Sequence, residues 1–197
     1  MELYNKLPNL VLGFHGCKKS VYDDVIIKNI PLKKSTNKYD WLGNGIYFWE
    51  NSYERAKDWA VSRYGDEASV IGAVIDLGNC LNLTDYSSNE ILKTAYDYLV
   101  LVSEKAQVEL PINKKGRETE DILLRNLDCA VIQAAHELKT KSGKGFDSVR
   151  GVFTEGKPMY EGAAIQEKTH IQICIVNPNC IKGYFKPLEA DSSFPIP

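Results

Sequence analysis

From residue 145 the hydrophobic pattern of this chain stops being helical and becomes a succession of strands. Three short runs stand there: 148–153 (SVRGVF), 169–176 (THIQICIV) and 180–186 (CIKGYFK). Asn177-Pro178-Asn179 between the last two predicts a hairpin turn. Ahead of residue 145, strands and helices are mixed. Residues 9–14 (NLVLGF) read as a buried strand ending at His15-Gly16, and 46–49 (IYFW) as a short aromatic strand. Residues 69–77 (SVIGAVIDL) read as a buried strand, with Gly78-Asn79 turning into CLNL. A helix is expected at 20–29 with Ser20 as its N-cap, and another through Tyr53, Ala56, Ala60 and Tyr64 to Gly65, after the capping-box pair Asn51 and Glu54. A third follows the pair Ser87 and Glu90 through Ile91, Ala95, Tyr98 and Val102. The last opens at Thr119 and runs through Leu123, Leu127, Ala130, Ala134 and Leu138 to Gly143. A chain that ends in a block of strands does not make a doubly wound parallel sheet, so the order predicts α+β. With 197 residues, no internal repeat and no composition break, it reads as one domain over 1–197.

Charge and cysteine content narrow the function classes. Lys and Arg number 24 against 26 Asp and Glu, a net charge of -2, which argues against a protein whose main task is coating nucleic acid. Nucleic acid as a substrate stays open. The Lys-rich loops at 33–38, 112–117 and 139–144 read as solvated faces, with no Arg–aromatic interleaving to stack bases. The cysteines Cys17, Cys80, Cys129, Cys174 and Cys180 are odd in number and lack a Cys-x-x-Cys, which predicts reduced thiols rather than a disulfide framework or zinc site. No apolar run approaches the roughly 18 residues of a membrane span, and MELYNKLPNL lacks the pattern of a signal peptide. Together these point to a cytoplasm, of the producing or of a target cell.

Three segments could carry chemistry. His15 stands at a strand end with Gly16 behind it, where a ring at a sheet edge meets a backbone that a ligand can approach. The alternative is a satisfied structural histidine. In WLGNGIYFWENSYERAKDWA, Gly43 and Gly45 flank Asn44 among aromatics, either as a turn into a core strand or as a slot for a planar ring. Neither a P-loop nor a Gly-x-Gly-x-x-Gly after a strand is present. In the strand 169–176, His170, Gln172, Cys174 and Val176 share one face by period two. A Gln on that face needs a partner or solvent. His136, off the apolar stripe of its helix, reads as a solvated surface residue.

The order of FHGC, LGNGIYFWENSYERAKDWA and a strand with a polar residue before a turn resembles the H-Y-[E/D/Q] class of ADP-ribosyltransferases. It is most similar to the poly(ADP-ribose) polymerase catalytic domain and its bacterial mono-ADP-ribosylating relatives. The resemblance spans roughly residues 10–186, and Gly-x-Gly-Ile-Tyr-Phe followed by a helix is its most specific part. The implied fold is α+β with split mixed and antiparallel β-sheets flanked by helices. The implied substrate is NAD, with no metal. By resemblance, His15 would bind the hydroxyls of the nicotinamide ribose, the Gly16 backbone the carboxamide, and Tyr47 would stack on the ring, with Gly45 in the same binding set. Trp59 would close the other side. Cys17 falls where the family often has Ser or Thr. Gln172 falls where polymerases have Glu, which points to mono-transfer. Glu167, in the loop before that strand, is the candidate base, with Glu161 and Glu155 behind it. Arg150 would either touch the pyrophosphate or be an exposed strand arginine.

The activity so implied is mono-ADP-ribosyl transfer to a macromolecular acceptor, protein or nucleic acid, by a toxin- or effector-type enzyme. An antitoxin or immunity protein would be a partner of such an enzyme, and the residues do not specify one. The alternatives are an NAD glycohydrolase and an inactive module that binds NAD or ADP-ribose.

Overall fold

The run Ala68–Ile75 is apolar at nearly every position because it lies inside a sheet covered on both faces. The computed structural model describes residues 10–117 and 119–196. Segment 1–9, which includes most of the stretch read for a signal peptide, and Pro197 of the tail lie outside the described residues. Among the described residues seven strands run: β1 (Val11–Lys18), β2 (Ile46–Glu50), β3 (Ala68–Ile75), β4 (Cys80–Asn82), β5 (Ser148–Phe153), β6 (His170–Ile175) and β7 (Ile181–Phe185). Four helices accompany them: α1 (Lys19–Tyr22), continued by a π-helical turn at Asp23–Ile27, then α2 (Tyr53–Tyr64), α3 (Ser87–Ala106) and α4 (Asn126–Lys141). The strands form one mixed sheet in the order β4-β5-β6-β2-β1-β3-β7, parallel only between β4 and β5. The protein is α+β.

Register sorts the side chains onto two faces. Phe48, Ile71, Ala73, Ile75, Ile173 and Ile175 point to one face and are sealed by Val25, Leu32 and Cys180. The opposite face is covered in two parts. Helices α3 and α4 bring Ala95, Ile132, Ala134 and Ala135 down onto Leu81, Val149 and Cys174. Helix α2 brings Ala56 onto Trp49 and Val70. Between these two helical layers the sheet carries Trp49 on β2 beside Gln172 on β6.

The continuous ladder differs from the two split sheets the resemblance implies, but it has a weak seam. β1 pairs with β3 over eight residues, Val11 to Lys18, yet with β2 only at Gly13–Glu50 and Phe14–Trp49. Strand β1 also does not end at His15; it runs on through Gly16 to Lys18.

Several local expectations are corrected. β6 and β7 form no hairpin: β6 lies between β5 and β2, and β7 pairs with β3 at the far edge. The reason is Asn177, whose side chain caps a 3-10 turn at Pro178–Cys180 and donates to Asp147 at 2.8 Å, so the chain crosses over the end of the sheet. The last helix begins at Asn126, not Thr119; the Thr119 hydroxyl accepts from the Asp121 amide in a turn instead. None of Ser20, Asn51 or Ser87 caps a helix with its side chain. Asn51 takes φ 50°, and Asp85 accepts from the Ser87 amide ahead of α3. His136 is half-buried against Phe146, with its Nε2 buried and unpaired, rather than solvated. All five cysteines are free thiols, and no helix among the described residues is long and apolar enough to cross a membrane.

Candidate functional site at the strand junction

The seam between β1 and β2 is a gap one residue pair wide. The Asn51 amide donates to the Leu12 carbonyl, so Leu12, Phe14 and Gly16 turn their backbone groups toward β2 by the alternation of an antiparallel ladder. Phe14 pairs with Trp49, and the next pair along would be Gly16 with Tyr47. It does not form. The Tyr47 carbonyl instead accepts from His15 Nδ1 at 2.8 Å. On the far side, Gly45 exchanges backbone hydrogen bonds with Ser35 (2.7 and 3.1 Å), which closes the gap. The His15 imidazole therefore takes the place of the Gly16 N–H, whose own N–H and C=O face an edge where the ladder has stopped.

Electrostatics fix the state of that imidazole. Burial pushes His15 below the ordinary histidine pKa, against the smaller opposing effect of the Tyr47 carbonyl. A neutral ring with Nδ1–H donated to Tyr47 leaves Nε2 as a bare acceptor. Such an atom can receive a hydroxyl.

The other residues of the implied set are arranged differently. Tyr47 is half-buried; its hydroxyl donates to the Gly43 carbonyl at 2.6 Å and accepts from the Leu42 amide at 2.8 Å. Burial raises its pKa far above the ordinary tyrosine value. Tyr47 thus anchors the turn in front of its own strand. Gly45 is packed: a Cβ there would lie 2.5 Å from Cys174 Sγ and 2.6 Å from the Ile175 carbonyl oxygen. Gly16 is closed in the same way from the α2 side, 2.4 Å from the Ala56 carbonyl oxygen. Both glycines therefore have a packing reason to be glycine. Trp59 is half-buried on α2, 5.6 Å from Trp49 between ring centroids. Cys17 is buried, and burial lifts its thiol to about 11.

Gln172 lies in a row with Trp49 and Phe14 across β6, β2 and β1, so His15, next along β1, projects to the opposite face beside Phe48. The structure brings His15 and Gly16 together with Tyr47's backbone, and sets Gln172 two residues further along the neighbouring strand. Around Gln172 is a group whose assembly the sequence reading did not foresee, although it named His170 and Glu155. Its Nε2 lies 3.2 Å from His170 Nε2, and His170 Nδ1 is 2.7 Å from the Lys168 carbonyl. Trp41, Trp49 and Phe153 surround the His170 ring at 6.2–6.4 Å between centroids. Glu155 places an oxygen 3.8 Å from His170 Nδ1 and ion-pairs with Arg55 at 2.7 Å. The Arg55 guanidinium lies 5.6 Å from the Trp49 ring, and the Arg125 guanidinium lies over Trp41 at 4.4 Å. Trp49 Nε1 and Arg55 Nε are both buried donors without a partner, a state that calls for an acceptor.

Of the three candidate acids, Glu155 is the one at this cluster. Glu167 is exposed and accepts from the Lys157 amide at 3.2 Å, and Glu161 is exposed in the loop tip. Arg150 is committed within the protein. It makes a two-pronged pair with Glu50 at 2.5 and 2.9 Å and reaches Thr84 at 3.3 Å, on the face of the sheet opposite Gln172. Period two in strand 169–176 already set His170 beside Gln172. The Arg55–Glu155 pair, 100 residues apart in sequence, left no local signal. No protein-family model matches the chain, and no curated protein matches it either.

Proposed function

We propose that the chain is an NAD-dependent mono-ADP-ribosyltransferase with an ADP-ribosyltransferase-like fold, releasing nicotinamide and working in the cytoplasm of the producing or a target cell. The observation that carries this reading is the seam. His15 occupies the carbonyl of Tyr47, and Gly16 is left with a donor and an acceptor side by side, which is the complement of a carboxamide. A carboxamide needs both at once, and a main-chain edge offers them at fixed spacing.

In this reading the nicotinamide carboxamide pairs with Gly16, while the His15 ring, on the face of the sheet opposite Gln172, holds the seam through the Tyr47 carbonyl. The aromatic groups near the seam, Trp59 and the exposed part of Tyr47, bound the ring. Nicotinamide leaves as a neutral molecule, so no strong acid is required. The positive charge that develops at the anomeric carbon is stabilised by oriented acceptors. Gln172 supplies one through its amide oxygen, and the negative charge of Glu155 lies behind it through His170. As the bond to nicotinamide breaks, an acceptor nucleophile, protein or nucleic acid, bonds to the anomeric carbon and gives its proton to a base, for which Glu167 in the exposed loop before β6 is the candidate.

One observation favours a second reading, binding without turnover: the nearest acid to Gln172 is already paired with Arg55. Proton NMR of the protein with NAD, with and without cell lysate, separates the readings. Nicotinamide release that requires lysate supports transfer. Release without lysate indicates hydrolysis or self-modification. Saturable binding without release supports the second reading, and neither binding nor release refutes both.

A further inference from the structure

An amide in place of an acid has a polarity that a carboxylate lacks: one end accepts and the other donates. At position 172 the wrong end facing the reacting sugar would place two N–H donors where positive charge develops. Some neighbour must therefore decide which way Gln172 points. Only one of its neighbours is in bonding contact with the amide.

His170 Nδ1 is 2.7 Å from the Lys168 carbonyl, which can only accept, so Nδ1 carries the proton. In the neutral ring Nε2 is then a bare lone pair. It lies 3.2 Å from the Gln172 amide nitrogen, so the amide must present N–H to it and turn Oε1 away. We infer that His170 is a positioning residue, holding the Gln172 amide with its oxygen turned away from the ring, and that protonation of His170 reverses the amide. The functional half of this inference rests on the activity proposed above. A charged imidazole carries N–H on both nitrogens. Its Nε2–H would oppose the amide N–H, and a half-turn of the amide would let Oε1 accept from it instead, leaving the two N–H groups facing the site.

Charged groups from three elements face the ring. Glu155, in the loop after β5, lies 3.8 Å from Nδ1 and favours the charged form. Arg55 from α2 and Arg125 at the start of α4 oppose it. Trp41, Trp49 and Phe153 enclose the rest. Burial is the largest influence, and the balance holds His170 below its ordinary value. The amide is thus set with oxygen outward at neutral pH and reverses only in acid.

The orientation can be read without any activity. Long-range proton–nitrogen correlation on the uniformly labelled full chain reports the tautomer of His170, and the same spectra follow the Gln172 side-chain N–H pair. We expect Nδ1 protonated and Nε2 bare at pH 7, with the Gln172 amide protons shifting together with the His170 titration at a midpoint below 6.5. An Nε2–H tautomer at neutral pH, or an amide blind to the titration, overturns the inference whether or not the chain consumes NAD. The functional consequence is read on nicotinamide release. Wild type should lose about tenfold in kcat as His170 charges, a loss the size of one inverted hydrogen bond. Gln172→Glu, which has no donor end, should lose this acid limb. His170→Asn should lower kcat about tenfold at neutral pH, and the added Gln172→Glu should restore it, which repair of a merely structural defect would not achieve. Failure of that rescue overturns the positioning role. Absence of any NAD consumption by wild type refutes the proposed activity and leaves the orientation to be decided by the spectra.

Discussion

The two halves of the candidate site are built from different materials. At the β1–β2 seam the chemistry is main chain: Gly16, itself buried, is short of a ladder partner because one side chain, His15, has taken it. Around Gln172 the ladder is intact, with Trp49, Gln172 and Gly151 in register, and the chemistry is carried by side chains that hold one another. The first half is made rigid by the sheet itself, and needs few residues. The second depends on a network of Glu155, Arg55, His170 and Gln172, in which removing one member exposes the next. The comparison teaches that the seam should tolerate changes of side chain but not of bulk, whereas the network should be sensitive to single charge deletions.

The largest effect should come from breaking the network. Arg55→Ala leaves Glu155, with 13% side-chain exposure, without its ion-pair partner and facing only the neutral His170 ring, which should cost about 3 kcal/mol. Denaturant unfolding measures it, and a loss under about 1 kcal/mol would mean that water already screens the pair.

Bulk at the seam comes next. Gly16→Ala places a methyl 2.4 Å from the Ala56 carbonyl oxygen, and α2 must move to admit it. We expect destabilisation of about 2 kcal/mol, a fall in melting temperature of roughly 4–8 °C, and loss of NAD binding. Normal NAD affinity in a variant with that stability loss would detach the seam from the proposed function.

Tyr47→Phe is smaller. It strands the Leu42 amide and the Gly43 carbonyl and should cost about 1–2 kcal/mol. Tyr47→Ala would remove packing as well, so a loss of activity in that variant would not by itself show stacking on nicotinamide. The phenylalanine form, which keeps the ring, separates the two roles: retained nicotinamide release with lowered stability is the expected result.

Asp147 offers a pH test remote from both halves. Burial opposes its charge, but hydrogen bonds from the Asn177 side chain and the Asn79 amide, with Lys144 nearby, outweigh it and hold the carboxyl below the ordinary range. A depressed pKa contributes stability above the unfolded value of about 3.9, and that contribution is lost as pH falls through the folded value. Asp147→Asn should therefore be less stable than wild type at neutral pH, with the difference shrinking in acid below about pH 4. A difference independent of pH would assign the effect to packing. Glu167→Gln, in an exposed loop, should change stability by less than about 0.5 kcal/mol.

Strong local periodicity made most elements legible. The run at Ala68–Ile75, the helix from Tyr53 to Tyr64 ending at Gly65, and the three late strands all lie where the sequence reading placed them. Connections were not legible. Asn177-Pro178-Asn179 has the composition of a hairpin turn, but which strand Ile181–Phe185 would pair with depends on Gly72, where Phe185 packs at 2.3 Å from the position of a Cβ. Capping pairs were misread because Asn51 and Ser87 satisfy the pattern, while a tertiary bond to Leu12 and a local one from the Ser87 amide to Asp85 set the backbone. In the site, His15, Gly16 and Gln172 stood out as local oddities. Glu155 was ranked only behind Glu167, because its meaning comes from Arg55 on a different element. Gly45 stood out for chemistry and is explained by Cys174 packing.

The account turns on the backbone of Gly16. A titration of the labelled chain with nicotinamide, followed on the Gly16 amide in proton–nitrogen spectra, tests it directly. The account predicts a saturable downfield shift of that amide, accompanied by a change at the His15 ring. Saturable shifts confined to other residues, with Gly16 unmoved, would contradict it.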